Sequence, residues 1–355
     1  MTVDDWKKKY EETRPRYIQL CEKLVNLLKE LLYVNGIQAT LESRVKELSS
    51  FEGKIGRKGY EDPLSQMTDI VGIRIIVRTL DEVSRVESII KSELSIDDAN
   101  SVSKLSQLDP DRFGYLSEHY VVKVSSPRAE LLEWRSVSEL PSEIQVRTIV
   151  QHAWAAVQHS LDYKTACDIP HDLRRRLFRI SALFELADQE LNSVSRDANS
   201  LFESYQEQIS QNRSAPIELN SESIRAYLTS SEEVAYWADV IKSFGQDISA
   251  PGLISRDLEM AREAGITDIE SLDSLLSGSR GWGEDYLKEF YLNSYGSLPT
   301  KGSTDLNGVV TLLLIGNYLD IFTDTELNGR WGFGKPERAT RPARKINPRF
   351  ENEKA

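Results

Sequence analysis

The chain has 355 residues, with 44 lysines and arginines against 56 aspartates and glutamates, and a formal net charge of −12 at pH 7. This length predicts two domains with apolar cores, and the acidic balance argues against a generally basic nucleic-acid binder. No apolar run reaches the length of about 18 residues that a membrane span needs, and the N-terminus lacks a signal peptide, so we expect a cytoplasmic protein with no membrane partner. Cys21 and Cys167 lie far apart without CxxC spacing, which argues against a zinc site or disulfides.

The first 211 residues carry the patterns of a mixed α/β domain. Trp6 to Leu32 has apolar residues at helical spacing and predicts a long amphipathic helix that ends at Asn35-Gly36. Alternating and β-branched segments predict strands, and further amphipathic segments predict helices. We expect strands at Ile37 to Val45, Ile70 to Val77, His119 to Val124 and Ile144 to Arg147, and helices at Asp81 to Ser92, Ile149 to Tyr163 and His171 to Gln211.

The rest of the chain predicts a helical domain and a basic tail. Asn212 to Pro216 is the best linker, and residues 217–322 contain several short helix patterns. The aromatic residues of this part are predicted to form its core rather than a base-stacking surface: Tyr227, Tyr236, Trp237, Trp282, Tyr286, Phe290 and Tyr291. From Arg330 the tail is rich in Arg, Lys, Pro and Gly and is predicted to be extended or disordered. It either contacts RNA or an acidic partner, or is a solvated terminus.

The strand that leads into the helix at Ile149 carries a polar face. Glu143, Gln145 and Arg147 alternate with apolar residues, so the three side chains share one face of the strand. Such a face is typical of a site, and equally typical of ordinary solvent exposure.

A set of cations precedes this strand in the chain. Arg44, Lys46, Ser50 and Lys54 lie at the end of a predicted strand and along the following helix. Polyphosphate suits such a set, because arginine binds phosphate oxygens in a bidentate manner and lysine supplies a compact positive charge. A solvated, charged helix face is the alternative.

Two charged residues lie at the start of, and within, the predicted strand Ile70 to Val77. Asp69 precedes an apolar run that Arg74 interrupts. Charges are disfavoured in a central strand, so the two side chains either pair with each other or lie at a site. A second carboxylate from Glu143 beside Asp69 suits Mg²⁺, which takes one or two carboxylates plus phosphate oxygens.

A fourth cluster follows a Gly-Tyr turn. Gly114 permits a sharp turn that presents Tyr115, whose ring can stack on a base, and Ser117 and His119 share one face of the next strand. The alternatives are a tyrosine that packs on its own hairpin and a histidine with a structural role.

Taken in order, these clusters resemble the synthetase domain of the RelA/SpoT alarmone family over roughly residues 37–195. The resemblance rests on R-V-K-x-x-x-S-x-x-x-K at Arg44 to Lys54, D-I-x-G-I-R at Asp69 to Arg74, G-Y-x-S-x-H at Gly114 to His119, and E-x-Q-V-R-T at Glu143 to Thr148. It implies a nucleotidyltransferase-like mixed β-sheet flanked by helices. It also implies transfer of a pyrophosphoryl group from ATP to a ribose 3'-hydroxyl, usually of GDP or GTP.

The resemblance also implies residue roles. Asp69 and Glu143 correspond to the catalytic, Mg²⁺-binding carboxylates, and Glu143 to the group that activates the hydroxyl. The remaining positions correspond to ATP-binding residues, namely Arg44, Lys46, Ser50, Lys54 and Arg74, and to acceptor-binding residues, namely Tyr115, His119, Gln145 and Arg147.

Two functions remain open within this resemblance. Leu116 and Glu118 depart from the residues that many members carry, so the acceptor is either a guanine or other purine nucleotide or the 3' end of tRNA. In the second case the protein resembles CapRel-like fused toxin-antitoxin proteins, with the C-terminal domain as antitoxin or phage sensor and so the place for a protein regulator. The sequence leaves the oligomeric state open. The expected organisation is an N-terminal helix over 1–36, a synthetase domain with a trailing long helix over 37–212, a helical regulatory domain over 217–325 and the basic tail over 330–355.

Overall fold

The computed structural model describes residues 2–103, 118–160, 171–211, 216–249, 252, 254–295 and 303–350. The chain divides into two compact units, Met1–Ser195 and Arg196–Ala355. This division falls inside a long helix and before Asn212 to Pro216, the segment that composition favoured as the linker. Residues 212–215 lie outside the described part of the chain, so that linker stays a prediction.

The first unit contains a mixed β-sheet flanked by helices. Its helices are α1 Val3–Val34, α2 Leu48–Lys58, α3 Pro63–Gln66, α4 Leu80–Glu93, α5 Ser126–Ala129, α6 Ile149–Ser160 and α7 His171–Ser210, the last of which continues into the second unit. Its strands are β1 Thr40–Val45, β2 Val71–Val77, β3 Leu94–Ile96, β4 Val102–Ser103, β5 Glu118–Val124 and β6 Ser142–Thr148.

The strand order of this sheet is β1-β2-β6-β5-β3, and β4 pairs with β5. The central pair β2 and β6 is parallel, whereas β1 with β2 and β5 with β6 are antiparallel. This architecture confirms the predicted mixed α/β class.

One face of the sheet forms the core of the first unit. Ile73 and Ile75 of β2 and Ile144 and Val146 of β6 are at most 1% exposed. Alternate residues of a strand point to opposite faces, so these apolar side chains leave the other face to the polar residues between them. Helix α1 covers β1 and β2, and α4 covers β6. The packing of the sheet therefore fixes which side chains are available for a site.

The second unit is mainly helical and has its own core. Its helices are α8 Ser221–Ser230, α9 Glu232–Ser243, α10 Ser255–Glu263, α11 Ile269–Gly278, α12 Arg280–Tyr295, α13 Leu306–Asn317, α14 Asp324–Gly329 and α15 Glu337–Ile346, and a short parallel pair joins β7 Asp247–Ser249 to β8 Ser303–Asp305. The predicted core role of the aromatic residues is confirmed, because Tyr227, Trp237 and Tyr286 are at most 1% exposed.

The prediction of an extended or disordered tail from Arg330 is wrong for residues 337–346, which form α15. This helix contacts α12 and α13. Its small residues Ala339 and Ala343 lie one turn apart and are buried, and buried Thr340 donates a hydrogen bond to Asp324 at 2.5 Å. The prediction relied on the composition of the whole tail, which averages both faces of the helix. The many arginines and lysines of the exposed face therefore outweighed the few small residues that are buried.

None of the helices in the described ranges is both long and apolar enough to cross a membrane.

Candidate active site

The register of three strands places the predicted site residues on one face of the sheet. In β6, Glu143 lies opposite Gly72 of β2, and Gln145 lies opposite Arg74 of β2. On its other side Gln145 lies opposite His119 of β5. Because side chains directly opposite each other point to the same face, these polar groups converge on the face that the apolar core leaves open.

A cleft of about 160 Å³ lies on this face. Five of the predicted site residues line it, namely Arg44, Asp69, Arg74, Glu143 and Gln145, together with Glu42, Ser43, Gly72 and Ile73. The structure therefore brings together residues that lie as many as 103 positions apart in the chain, from Glu42 to Gln145, on one face of the strands β1, β2 and β6.

Asp69 lies immediately before β2 and is held by two lysines. Lys46 Nζ is 3.0 Å from Asp69 Oδ2, and Lys54 Nζ is 2.8 Å from Oδ1. Burial alone raises the pKa of the Asp69 carboxyl. The hydrogen bonds and charges of Lys54 and Lys46 lower it by a larger amount, so the pKa lies below its ordinary value. The alternative of an Asp69 to Arg74 ion pair is wrong, because Arg74 pairs with Glu42 instead.

Glu143 belongs to a row of hydrogen bonds that runs along β6. His119 Nδ1 lies 2.5 Å from Glu143 Oε1, and Gln145 Nε2 donates to the same oxygen at 3.3 Å. Arg147 in turn donates to Gln145 Oε1 at 2.7 Å. Burial raises the pKa of Glu143, yet the hydrogen bond and charge of His119 lower it by more, so its pKa lies below the ordinary value. Glu143 is therefore ionised at neutral pH.

Three arginines share this face. Arg44 lies opposite Gly72 and runs across it, since a Cβ added at Gly72 would lie 3.7 Å from Arg44 Cγ. Arg74 Nη1 lies 2.6 Å from Glu42 Oε2. Burial and the neighbouring charge of Arg74 lower the pKa of Arg147. The face therefore carries a concentration of positive charge that suits an anionic ligand.

Four further predicted residues contact residues that line the cleft, namely Lys46, Lys54, His119 and Arg147. Two predicted residues remain, Ser50 and Tyr115. Ser50 is exposed on α2, one turn before Lys54, and does not line the cleft. Tyr115 lies outside the described residues, so its predicted role stays a prediction.

The sequence reasoning missed two residues that support the site. Glu42 lines the cleft and binds Arg74, and Tyr10 of α1 donates a hydrogen bond from its hydroxyl to the Lys46 carbonyl at 2.5 Å. A signal for Glu42 was present, because it is two residues from Arg44 in a strand and so shares its face. No comparable signal pointed to Tyr10, whose spacing in α1 is that of an ordinary core residue.

Comparison with known proteins identifies the family of this region. Residues 43–168 match the sequence model described as "Region found in RelA / SpoT proteins". This match confirms the resemblance that the ordered motifs predicted for this region.

The particular relatives are bacterial enzymes. GTP pyrophosphokinase YwaC of Bacillus subtilis is 25% identical over 205 residues, which cover 56% of this chain and 93% of the relative. GTP pyrophosphokinase YjbM of the same organism is 29% identical over 158 residues, covering 42% of this chain and 69% of the relative. The crystal structure of the small alarmone synthetase 1 from Bacillus subtilis matches 54% of this chain and 98% of its own, with 26% identity and a TM-score of 0.45.

Proposed function

We propose that this chain is a pyrophosphokinase that transfers the β,γ-pyrophosphoryl group of ATP to the 3'-hydroxyl of GDP, GTP or a related purine nucleotide. The observation that carries the proposal is the cleft in which two ionised carboxylates, Asp69 and Glu143, lie among arginines and lysines. The two GTP pyrophosphokinases among the relatives support the reaction class.

Glu143 is the group that we assign to activation of the hydroxyl. Its contacts with His119 and Gln145 both fall on Oε1, so we assign Oε2 to the substrate. Glu143 takes the proton of the 3'-hydroxyl as the oxygen bonds to the β-phosphorus of ATP. The bond from that phosphorus to the α,β-bridging oxygen breaks, and AMP leaves.

Lysines and arginines of the first unit fit the donor nucleotide. Lys46 and Lys54 lie within 3.0 Å of Asp69 oxygens. Their positive charges can stabilise the negative charge of the ATP phosphates, including the charge that develops on the leaving oxygen during transfer. Arg44 and Arg74 line the same cleft from neighbouring strands, a placement that suits stacking on both sides of the adenine ring. We assign Ser50 to the phosphate end by its motif position alone.

Mg²⁺ is the cofactor that we propose for this cleft, and the residues present fit it. Asp69 and Glu143 are ionised and supply two carboxylates, and Mg²⁺ is commonly held by one or two carboxylates plus substrate phosphates and water. No group of three or more metal-binding side chains occurs among the described residues. A site with two protein ligands is consistent with that finding. When bound, the ion neutralises phosphate charge.

The acceptor is assigned to the opposite end of the polar row on β6. Gln145 and Arg147 point along the same face as Glu143, and His119 borders it from β5. Amide and guanidinium groups can donate to base and phosphate oxygens of a nucleotide. Tyr115 is proposed to stack on the acceptor base.

A second candidate is pyrophosphorylation of the 3' end of tRNA, with the helical unit as a fused antitoxin. The observation that favours it is that the chain contains, in addition to the region that matches the RelA/SpoT model, a second compact unit, Arg196–Ala355, with its own core. Such a unit gives a place for a protein regulator.

An acceptor panel distinguishes the two candidates. Purified full-length protein is incubated with Mg²⁺, ATP labelled in its γ-phosphate, and GDP, GTP, ATP or bulk tRNA. We expect label in a guanine or other purine nucleotide and AMP as the second product. Label that enters only tRNA would support the second candidate and contradict the first, and label that enters no acceptor would contradict both.

A further inference from the structure

We propose that Glu42 is a positioning residue for the donor nucleotide: it fixes the guanidinium of Arg74 at the edge of the cleft so that its flat face meets the base. This inference rests on the proposed function. Glu42 of β1 lies directly opposite Arg74 of β2, and Glu42 Oε2 is 2.6 Å from Arg74 Nη1. Both side chains line the cleft with Arg44 and are partly exposed, 46% for Glu42 and 32% for Arg74.

The geometry of the pair suits stacking. A guanidinium group makes hydrogen bonds along its edge and stacks through its two flat faces. The Glu42 carboxylate binds at Nη1, which is on that edge, and so leaves a flat face of Arg74 for an aromatic ring. A free arginine side chain has many rotamers, and ordering it upon ligand binding carries an entropy cost. By holding Arg74 before the nucleotide arrives, Glu42 lowers that cost.

The positive charges around Arg74 provide a second argument that Glu42 positions this arginine. The positive charge of Arg74 lowers the pKa of the nearby Arg147 guanidinium, whereas the negative charge of Glu42 raises it. The two arginines therefore repel each other, and Glu42 offsets part of that repulsion. Arg44 adds a further positive charge on the neighbouring strand. Without a carboxylate, repulsion would drive the Arg74 side chain away from the cleft.

The direction in which KM for ATP changes distinguishes positioning of Arg74 from repulsion between Glu42 and the nucleotide. ATP is a polyanion, so a carboxylate in its cleft that acts only through its charge would weaken binding. Loss of Glu42 would then lower KM for ATP. Positioning of Arg74 requires the reverse, because loss of Glu42 releases the arginine and raises KM.

The test compares Glu42→Ala with Glu93→Ala in the full-length protein. Glu93 pairs with Arg128 at the same distance of 2.6 Å and with similar exposure, 34% and 26%, but lies outside the cleft, so it is a matched control. We expect Glu42→Ala to raise KM for ATP about three- to fivefold, as the loss of a partly exposed ion pair implies, with kcat and the acceptor KM unchanged. Glu93→Ala is expected to leave all three unchanged.

A double-mutant cycle tests whether Glu42 acts through Arg74. Glu42→Ala added to Arg74→Ala is expected to cause no further rise in KM. A lowered or unchanged KM in Glu42→Ala, or an equal further rise in the Arg74→Ala background, would overturn the proposal.

Calorimetric titration with a non-hydrolysable ATP analogue separates this proposal from the proposed function. Weaker binding by Glu42→Ala than by wild type supports positioning even where no pyrophosphoryl transfer is detected. Equal binding by the two proteins overturns positioning, while transfer by the wild type leaves the proposed function intact.

Discussion

Among the described residues, the hydrogen bonds to the Glu143 side chain fall on one of its two carboxylate oxygens. His119 and Gln145 both contact Oε1, which orients the carboxylate and keeps its pKa below the ordinary value despite burial. Asp69 is kept ionised in a different way, by direct ion pairs with two lysines. Two carboxylates in one cleft thus remain charged through separate sets of partners, and the loss of one set is expected to leave the other carboxylate ionised.

The first prediction concerns Asp69 and acid stability. A carboxyl whose pKa is lowered in the folded protein contributes stability that is present above its unfolded pKa of about 3.9 and is lost as the pH falls through the lower folded value. Asp69→Asn is therefore expected to lower the free energy of unfolding at pH 7 by about 1–3 kcal/mol. The variant and the wild type should converge as the pH falls through the lowered pKa of Asp69 in the folded protein.

Urea unfolding at pH 7 and at pH 2.5 measures this effect, with Asp4→Asn, a change at an exposed position of the same unit, as the control. An Asp69→Asn protein that is as stable as the wild type at pH 7 would show that the two lysines do not stabilise the fold through Asp69.

At the scale of secondary structure, the central strands were predictable and the pairing of their side chains was not. The β-branched run at β2 and the alternation at β6 predicted strands close to their observed bounds. Strands β3 and β4 have only three and two residues, so their existence depends on pairing with β5 rather than on any pattern of their own. The Glu42 to Arg74 pair depends on the register of β1 against β2, which a single strand does not reveal.

The candidate site, too, was predictable only in part. The alternation at Glu143 and the ordered motifs predicted five of the residues that line the cleft, including Asp69 from a distant segment. The partners of Asp69 could not be predicted, because four cations were available and the choice of Lys46 and Lys54 over the two arginines depends on how α2 packs.

The second prediction concerns the junction between β6 and α6. Thr148 donates a hydrogen bond from its hydroxyl to Asp188 of α7 at 2.9 Å, and Asp188 is fully buried. Its removal leaves the Thr148 hydroxyl without this acceptor in the interior. Asp188→Ala is expected to lower the free energy of unfolding by about 1–3 kcal/mol, whereas Glu190→Ala, an exposed change on the same helix, should alter it by less than about 0.5 kcal/mol.

Thermal unfolding of the two variants checks this prediction. If Asp188→Ala and Glu190→Ala have the same unfolding temperature, the hydrogen bond at the end of β6 does not anchor α7.

At the scale of the whole molecule, each unit has its own apolar core. The core of the first unit is built on the sheet and α1, and that of the second on α8 to α15. Large buried aromatic residues occur in both, including Phe51 in α2 and Trp237 in α9. Separate cores predict that the units respond separately to a core mutation.

The third prediction tests this separation by calorimetry of the full chain. Trp237→Ala is expected to cost the second unit about 3–5 kcal/mol and Phe51→Ala to cost the first a similar amount. Each variant should therefore move a different unfolding transition. A single transition that both variants shift equally would show that the two cores unfold as one cooperative unit.

The most direct test of the proposed site is the transfer rate of Glu143→Gln. Glutamine keeps the size of the side chain and can still contact His119 and Gln145, but it cannot take a proton from the 3'-hydroxyl. With labelled ATP, Mg²⁺ and the best acceptor of the panel, we predict that kcat falls by about 10²–10⁴-fold while the protein remains folded. A Glu143→Gln protein that transfers pyrophosphate at the wild-type rate would contradict the assignment of this cleft as the active site.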